Sequence, residues 1–483
     1  MFVGREPELS KLSNLILKDT ASLVVVKGRR RIGKSRLVDE FGKSFSKYYK
    51  FAGLPPTENL AGIDQKKEFK NQFEQQFKVP GIDCSDWSHL FYHLAAQTRK
   101  GKVLILIDEI SWMGDQDRTF LGKLKSAWDL HFKTNQQLIL VLCSSVSSWV
   151  EKNILSSTGF MGRISLEISL SELPINACLK FWKKTSKRIS VYEKLKVLSV
   201  TGGVPRYLEE ITASVSAEEN IKRLCFQAEG ILVNEFDRLF SDLFDNRSML
   251  YQKIIRILIN GTASFNEICQ KLKLQKSGVV SQYMEDLIQA RFILKYSSWS
   301  IKKRQLTKLY KYRISDNYIR FYLKYVDPIK ELIQKGHFNF KSVYSLSNWE
   351  SIMGLQFENL VVNNIGFLFP YIGIHVDNIL FEGPYFQKQT KHKTGCQIDY
   401  LIQDRFNTLY IIELKFSKGD IPATVIENMK RKIKALDAPK NISIRPVLIY
   451  VGTISDSIKY HPIFDRVISF EDILDEQRNT YDY

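Results

Sequence analysis

Cysteine is scarce in this sequence, and long hydrophobic runs are missing from it. The six cysteines are isolated, with no CxxC pair and no histidine at metal-ligand spacing. This pattern excludes a disulfide framework and gives no sign of a zinc site. The longest apolar runs, such as "LILVLC", are too short to span a bilayer. Disulfide-stapled and membrane-spanning proteins are therefore not expected.

The N-terminal segment "MFVGREPELSKL" carries charges where a signal peptide needs an apolar block. We therefore expect a soluble, cytoplasmic protein with no membrane partner. A chain of 483 residues, 44% of them hydrophobic, is too long for one ordinary core and predicts three or four domains.

Acidic residues are in the minority, with 52 against 70 lysines and arginines and a net charge of +18. This excess favours polyanionic partners such as DNA and nucleotide phosphates. A chain rich in lysine, isoleucine and asparagine can also simply mirror a biased genome, and composition alone leaves both explanations open.

A glycine loop between a strand and a helix carries the first candidate site. The β-branched run "SLVVVKG" precedes it, and "SRLVDEFGKSF" after it has the spacing of an amphipathic helix. The loop matches the P-loop pattern G-x-x-x-x-G-K-[ST] in full. Its backbone N–H groups and the positive helix N-terminus suit a phosphate. The residues predicted to bind ATP here are Gly28, Arg29, Arg30, Arg31, Ile32, Gly33, Lys34, Ser35 and Arg36.

Within the loop, Lys34 is predicted to reach the β- and γ-phosphates and Ser35 to ligate Mg²⁺. The second metal ligand is predicted at the end of the apolar strand "KVLILID", at Asp108. Glu109, one residue further, is placed to orient and deprotonate the attacking water. Another apolar strand, "QLILVLC", is followed by Ser145, which could sense the γ-phosphate or the water. "YKFAG" and "RISLEISL" complete five candidate strands.

Five segments together resemble the prokaryotic AAA+/STAND-like ATPases, often called the archaeal-type ATPase family. These segments are "FVGREPEL", "GRRRIGKS", "LILIDEI", "GRISLEISLSEL" and "TGGVPRYLEE". The resemblance implies that Gly4 and Arg5 border the adenine pocket and that Pro205 packs near the nucleotide. It makes Arg163 a candidate γ-phosphate contact across a subunit boundary, which would need a homo-oligomer. A structural arginine that caps the strand is the open alternative.

Residues 241–315 have the pattern of a winged helix-turn-helix. Three predicted helices, separated by turns, precede the strand "FILKY". The third helix carries Lys276, Ser277, Ser281 and Gln282, which suit a DNA major groove. The basic and aromatic segment "SIKKRQLTKLYKYR" that follows suits phosphate contacts. Winged helices also serve as protein-protein modules, so the pattern does not decide between contact with DNA and contact with another protein.

The last third carries a second constellation. Asp399, Glu413 and Lys415 have the spacing D-x13-E-x-K, which is that of the PD-(D/E)xK nuclease fold. Glu358, on a predicted preceding helix, stands where that fold often provides another metal ligand. Carboxylates of this kind hold one or two Mg²⁺ ions, while the lysine orients water or stabilises developing negative charge. No proline precedes the first acidic residue, and cleavage is therefore an open question.

The archaeal-type ATPases commonly end in a DUF234-type domain with such a nuclease-like core, so the resemblance extends over nearly the whole chain. We expect an α/β fold: a P-loop NTPase core with the ASCE/AAA+ parallel sheet, a helical lid, a winged helix-turn-helix and a restriction-endonuclease-like α/β domain. The predicted segments are 1–170 for the core, 171–240 for the lid, 241–315 for the winged helix, 316–345 for a basic connector and 346–483 for the nuclease-like domain.

Three function classes compete. The first is an ATPase acting on DNA, whose nucleotide state regulates a Mg²⁺-dependent nuclease-like domain. The second is a DNA-dependent ATPase whose nuclease-like end only binds. The third is a STAND-like signalling protein in which nucleotide state controls assembly. The presence of both acidic constellations in one chain favours the first class.

Overall fold

The protein is described by a computed structural model that covers residues 2–55, 62–115, 117–182, 188–244, 248–390 and 394–479. The chain forms two compact units. The first contains Met1–Leu173, Val204–Arg206 and Ser241–Asp245, and the second contains the remaining residues. The division into five segments made from the sequence stays a prediction.

The first unit is built on a five-stranded sheet in which every pairing is parallel. The strand order is β2-β3-β4-β1-β5, so the phosphate-loop strand β1 lies between β4 and β5. This arrangement confirms the five strands and the parallel P-loop type of sheet expected from the sequence. The strands are β1 (Ser22–Lys27), β2 (Lys47–Ala52), β3 (Val103–Asp108), β4 (Leu138–Ser144) and β5 (Ile164–Ser169).

Helices cover both faces of this sheet. Alternate residues of its strands therefore enter two different cores. On β1, Leu23 and Val25 enter one core, whereas Val24 and Val26 enter the other. The helices of this unit are α1 (Glu6–Ser13), α2 (Lys34–Gly42), α3 (Gly62–Phe77), α4 (Trp87–Gln97), α5 (Ile110–Asp115), α6 (Phe120–Leu130) and α7 (Ser147–Val150).

The part of the chain after residue 173 is mainly helical up to residue 378, and it has further helices between and after the strands of the second sheet. Its helices are α8 (Ile175–Leu179), α9 (Val191–Thr201), α10 (Pro205–Leu208), α11 (Ala217–Cys225), α12 (Glu235–Phe244), α13 (Ser248–Ile257), α14 (Phe265–Leu272), α15 (Gly278–Gln289), α16 (Asn317–Phe321), α17 (Lys330–Gln334), α18 (Trp349–Asn363), α19 (Ile365–Ile372), α20 (Thr424–Ala435), α21 (Asp456–Lys459) and α22 (Phe470–Asn479).

Helices α13, α14 and α15 are followed by an antiparallel hairpin of β6 (Ile293–Ser300) and β7 (Gln305–Ile314). A capping box between Ser264 and Glu267 begins α14. The sequence predicted a basic segment, but not a strand, at residues 305–314. The lysines of β7 hid the strand pattern, because its first half is largely exposed. The winged-helix assignment stays a prediction.

The second unit has its own five-stranded sheet, in the order β12-β11-β10-β9-β8. The pairings of β10 with β11 and of β11 with β12 are parallel, and those of β9 with β8 and β10 are antiparallel. The sequence predicted that the strand carrying Asp399 begins there, whereas it begins three residues earlier. The strands are β8 (Ile379–Gln387), β9 (Cys396–Asp404), β10 (Thr408–Asp420), β11 (Ser443–Thr453) and β12 (Arg466–Ser469).

Over the described ranges, no helix is both long enough and apolar enough to cross a membrane.

Asp86 supplies a stability test that lies away from the candidate sites. Its side chain accepts a hydrogen bond from the Ser88 N–H at 2.7 Å and forms an ion pair with Lys123 at 2.5 Å. Lys123 holds the pKa of Asp86 at about 2. Because this pKa is depressed, the pair stabilises the fold above the unfolded pKa of about 3.9, and the stabilisation is lost as pH falls toward 2.

We expect Asp86→Ala to lower the free energy of unfolding by about 1 to 2 kcal/mol, because it removes both the helix cap and the ion pair. The matched variant Asp86→Asn keeps a capping oxygen and should cost about 1 kcal/mol or less. Thermal unfolding midpoints at pH 7 and pH 3 measure both effects. Equal midpoints for the two variants at pH 7 would contradict the capping role.

Candidate functional site

The phosphate loop follows β1, and its two glycines adopt backbone conformations that other residues rarely adopt. Gly28 and Gly33 have φ angles of +150° and +89°. A Cβ atom on Gly28 would lie 2.6 Å from the carbonyl oxygen of Leu170, so a side chain cannot be accommodated there without movement. The loop ends at Lys34, where α2 begins, and the helix N-terminus therefore faces the loop.

Lys34 is buried at the start of α2, with 6% of the residue exposed. Its ammonium group donates a hydrogen bond to the Arg29 carbonyl oxygen at 3.2 Å. Burial lowers the pKa of Lys34, and the nearby carboxylates of Glu109 and Asp108 oppose that effect. A buried ammonium group in a glycine loop at a helix N-terminus is an arrangement that favours a polyphosphate.

Ser35 and Asp108 meet across the loop, although 73 residues separate them in the sequence. The Ser35 hydroxyl donates to Asp108 Oδ2 at 2.6 Å. Asp108 Oδ1 accepts a hydrogen bond from the Glu109 N–H at 3.2 Å. Hydroxyl and carboxylate oxygens are ligands that Mg²⁺ prefers. These two residues therefore fit the magnesium that a P-loop uses.

Glu109 is held in a specific orientation at the end of β3. Its φ angle is +51°, a left-handed conformation that is uncommon for a side chain of this kind. Its Oε2 atom accepts hydrogen bonds from the Ser145 N–H at 2.9 Å and the Ser145 hydroxyl at 2.8 Å. The structure thus brings together Lys34, Ser35, Asp108, Glu109 and Ser145, all of which the sequence predicted as site residues.

Arg5 fastens the loop from the N-terminal side. Its guanidinium group donates to the carbonyl oxygens of Ile32 at 3.2 Å and Ser171 at 2.6 Å. Gly4, just before it, has a φ angle of +71°. Pro205 lies in the same unit, and its Cγ would be 3.9 Å from a Cβ on Gly33. The two segments predicted to border the nucleotide, one at Gly4 and Arg5 and the other at Pro205, therefore both lie beside the loop.

The four arginines of the loop differ in their surroundings. Arg29 is buried and pairs with Glu172 at 2.9 Å. Arg30 is half-buried, with its guanidinium group 5.0 Å from the Trp112 ring centroid. Arg31 and Arg36 are exposed.

Arg163 is engaged elsewhere in the same unit. It donates to Asp129 of α6 through Nε at 2.9 Å and through Nη2 at 2.8 Å. Arg163 holds the pKa of the Asp129 carboxyl well below its usual range. The described contacts of Arg163 include no residue of the phosphate loop. This pairing favours the structural alternative considered from the sequence.

In the second unit, Asp399 and Glu413 form a cluster with two lysines. Lys415 lies 2.6 Å from Glu413 Oε1. Lys432 of α20 pairs with Glu413 and lies 3.3 Å from Asp399 Oδ1. The other oxygen of Asp399 accepts the Leu414 N–H at 2.9 Å, which fixes this carboxylate across the two strands. The ammonium group of Lys432 thus lies between the two carboxylates.

Glu358 does not join this cluster. Its carboxylate pairs with Arg313 at 2.6 Å, and none of its described contacts is to Asp399, Glu413 or Lys415. Across the described part of the chain, no group of three or more histidine, cysteine, aspartate or glutamate side chains is arranged to hold a metal ion. Asp399 and Glu413 therefore offer two carboxylates to a cation, and the third ligand predicted from the sequence is not brought to them.

Lys432 is the cluster residue that the sequence analysis missed. A signal was present, because Val425, Met429 and Lys432 follow one another at helical spacing on one face of α20. Val425 and Met429 are fully buried. A lysine on the buried face of a helix needs an anionic partner inside the protein. Searching for that partner would have led to Asp399 and Glu413.

Comparisons with known proteins find an ATPase domain in the first part of the chain. Residues 2–211 match the model of a family described as an ATPase domain predominantly from Archaea. The uncharacterized protein MJECL04 of Methanocaldococcus jannaschii is 26% identical over 363 residues, which are 74% of this chain and 76% of that protein. The Walker-type ATPase PABY2304 of Pyrococcus abyssi is 17% identical and has a TM-score of 0.51, covering 66% of this chain and 95% of its own.

The ORC2 protein of Aeropyrum pernix also aligns, at 12% identity over 69% of this chain and 94% of its own, with a TM-score of 0.41. The likeness to the P. abyssi ATPase is a likeness of fold. The family match identifies residues 2–211 as an ATPase domain of the archaeal type. ATP, with magnesium, is the ligand that such a domain implies.

The Arg163 pairing can be tested by its effect on turnover. An arginine acting on the transition state from a neighbouring subunit is worth about 10³ to 10⁵ in turnover. We expect Arg163→Ala to stay within about tenfold of the wild-type ATPase rate, because its described contact is structural. Arg163→Ala and Asp129→Asn should lower the thermal unfolding midpoint by similar amounts, because each variant breaks the same ion pair. Steady-state ATP hydrolysis measures the first effect, and a loss above 10³ in Arg163→Ala alone would restore the catalytic role.

Proposed function

We propose that this protein is a Mg²⁺-dependent ATPase that acts on DNA, and that its nucleotide state regulates a nuclease-like site in the second unit. The observation that carries the ATPase part is the contact of Ser35 with Asp108 beside the buried Lys34. This contact joins the two motifs that a P-loop ATPase needs on neighbouring elements. The family match of residues 2–211 supports the same conclusion.

Each residue of the loop has a task that follows from its chemistry. Lys34 binds the β- and γ-phosphate oxygens and offsets their negative charge. Ser35 and Asp108 would hold the Mg²⁺, which supplies charge neutralisation at the phosphates when it is bound. Glu109, held by Ser145, orients the attacking water and accepts its proton. Arg5 keeps the loop in its phosphate-binding shape through Ile32.

The DNA part of the proposal rests on α15 and the hairpin that follows it. Lys276, Ser277, Ser281 and Gln282 are exposed, whereas Val280, Met284 and Leu287 of α15 are buried. Lys276 and Ser277 lie just before α15, which begins at Gly278, and not on it as the sequence predicted. One face of α15 is thus packed, and the face with Ser281 and Gln282 is open to a partner. Three helices followed by a hairpin is the element order of winged helices, whose last helix often enters the major groove.

The nuclease-like part of the proposal rests on the cluster of Asp399, Glu413 and Lys415. Two carboxylates that face a common cation position suit one Mg²⁺, and Lys415 suits the orientation of water or the stabilisation of a developing charge. Asp399 is held in place by its hydrogen bond with the Leu414 N–H.

A specific observation favours a second candidate function, in which the nuclease-like unit only binds DNA. Lys432 contacts both carboxylates, and its charge can replace that of a metal. In that case Asp399 and Glu413 serve to fix a basic side chain. The two candidates differ in whether magnesium can displace the ammonium group of Lys432.

Two variants of the first site test the ATPase proposal. Lys34→Ala should abolish ATP binding, because the buried phosphate contact is removed. Glu109→Gln should keep ATP binding and lower the turnover by about 10² to 10⁴, because water activation is lost. Equilibrium binding of a fluorescent ATP analogue and steady-state hydrolysis measure these effects. Lys43→Ala is the matched control, since Lys43 lies at the other end of α2 and pairs with Glu40.

Unchanged ATP affinity in Lys34→Ala would contradict the phosphate-loop assignment. Turnover at the wild-type rate in Glu109→Gln would remove Glu109 from the mechanism while leaving the binding site intact.

Plasmid, linear and single-stranded DNA, each incubated with and without ATP and with Mg²⁺ or Mn²⁺, test the second unit. We expect metal-dependent cleavage that Asp399→Asn abolishes, because one of two metal-binding carboxylates is lost. Lys430→Gln is the control, since Lys430 is an exposed lysine of the same helix as Lys432. Cleavage that persists in Asp399→Asn would exclude this cluster. DNA binding without cleavage in the wild-type protein would favour the second candidate.

A further inference from the structure

A polar cavity of about 430 Å³ lies in the second unit, and Gln397 of β9, the strand that carries Asp399, is one of its lining residues. The turn of Asn260, Gly261 and Thr262 forms one wall, and residues of β7 and α18 form others. The volume is within the range of pockets that take small ligands, about 300 to 1,000 Å³. No role described above uses this cavity.

The charged residues that line it are strongly unbalanced. Lys271, Lys311, Arg313 and Arg320 contribute four positive charges, and Glu358 contributes one negative charge. The cations come from α14, β7 and α16, so they converge from three elements of the fold, and Glu358 comes from α18. A lining with this balance favours an anion that carries more than one negative charge.

The two arginines are fixed and buried. Arg320 is 1% exposed and donates to the carbonyl oxygens of Leu355 at 3.0 Å and Ile314 at 3.1 Å. Arg313 is 2% exposed and pairs with Glu358 at 2.6 Å. Each keeps a buried Nε atom for which the described part of the chain provides no hydrogen-bond partner.

The positive charge of this pair is only partly offset. Burial, followed by repulsion from Arg313, lowers the pKa of Arg320 to about 9, and Glu358 opposes that effect. One carboxylate thus serves two buried guanidinium groups. A buried cation without a full counter-charge is costly, and a bound anion would relieve that cost.

The two lysines at the cavity are free to meet a ligand. Lys271 is exposed at the end of α14, and Lys311 is half-buried with its Nζ atom 4.9 Å from the Phe386 ring centroid. Neither forms a salt bridge among the described residues. Long, flexible lysines beside rigid arginines are a combination that suits phosphate, which accepts hydrogen bonds from several directions.

We propose that this cavity binds a phosphate group, carried either by a free nucleotide or by the end of a nucleic-acid strand. The lining residues of this cavity include none of the phosphate loop and none of Asp399, Glu413 and Lys415. The proposal also gives Glu358 a different task from the metal ligation expected from the sequence: Glu358 orients Arg313 at the cavity wall. A doubly charged phosphate offsets most of the excess positive charge of the lining.

The test uses the full chain in a Lys34→Ala background, so that the phosphate loop does not contribute. Binding is measured by isothermal titration calorimetry with inorganic phosphate, AMP, and a single-stranded oligonucleotide with either a 5′-phosphate or a 5′-hydroxyl end. The variant Lys271→Gln/Lys311→Gln removes the two mobile cations and leaves the buried arginines in place. Lys335→Gln is the control, because Lys335 is an exposed lysine outside the cavity.

We expect at least one phosphate probe to bind, and the double variant to weaken it by about tenfold or more, since charge-assisted hydrogen bonds are lost. The control should stay within about twofold. Preference for AMP identifies a nucleotide site, and preference for the 5′-phosphate over the 5′-hydroxyl end identifies a strand-end site. Glu358→Gln should strengthen binding, because it removes the one lining carboxylate.

Three results overturn the proposal: no saturable binding of any phosphate probe, equal affinity in the double variant and its background, or an equal loss in the Lys335→Gln control. The last result would mean that binding follows net charge alone. ATP turnover that persists in Lys34→Ala would instead contradict the proposed ATPase site, and the outcome at this cavity would be unaffected.

Discussion

A cation that folding removes from water must find acceptor oxygens, and this constraint governs three places in the molecule. Lys34 donates to a loop carbonyl and lies near Asp108 and Glu109. Lys432 contacts Asp399 and Glu413. At the third place, two buried arginines have a single carboxylate, Glu358. At the first place the acceptors leave room for phosphate, at the second they enclose the ammonium group, and at the third they do not balance the charge.

The first unit was predictable because its signals are local. β-Branched and apolar runs mark the five strands, of which β1, β3 and β4 are buried. The glycines, the lysine and the hydroxyl residue between Gly28 and Ser35 match the pattern of a phosphate-binding loop. Parallel strands bring their carboxyl ends to one edge of a sheet, so the approach of Ser35 to Asp108 followed from strand order alone. The pairing of Arg163 with Asp129 did not follow, because a helix surface 34 residues away supplies the partner.

The second unit was less predictable, since its decisive contacts join distant segments whose register no short motif reveals. Asp399 and Glu413 were found by spacing, but Lys432 reaches them from α20, and only packing decides that it does. The same holds for Glu358. Its position on a helix before the strands agreed with a metal ligand, yet Arg313, which lies 45 residues earlier, takes its carboxylate. An acidic residue that matches such a motif can instead form an ion pair with any basic side chain that the fold brings close to it.

The position of β1 in the middle of the first sheet has a consequence for synthesis on the ribosome. Its two neighbours, β4 and β5, are Leu138–Ser144 and Ile164–Ser169. The nascent chain therefore carries an apolar strand with both edges unpaired until these later segments have emerged. At about 5 to 20 residues per second, this wait lasts on the order of ten seconds, a period in which chaperones can bind the strand. Pairing over such long sequence separations also predicts slow folding.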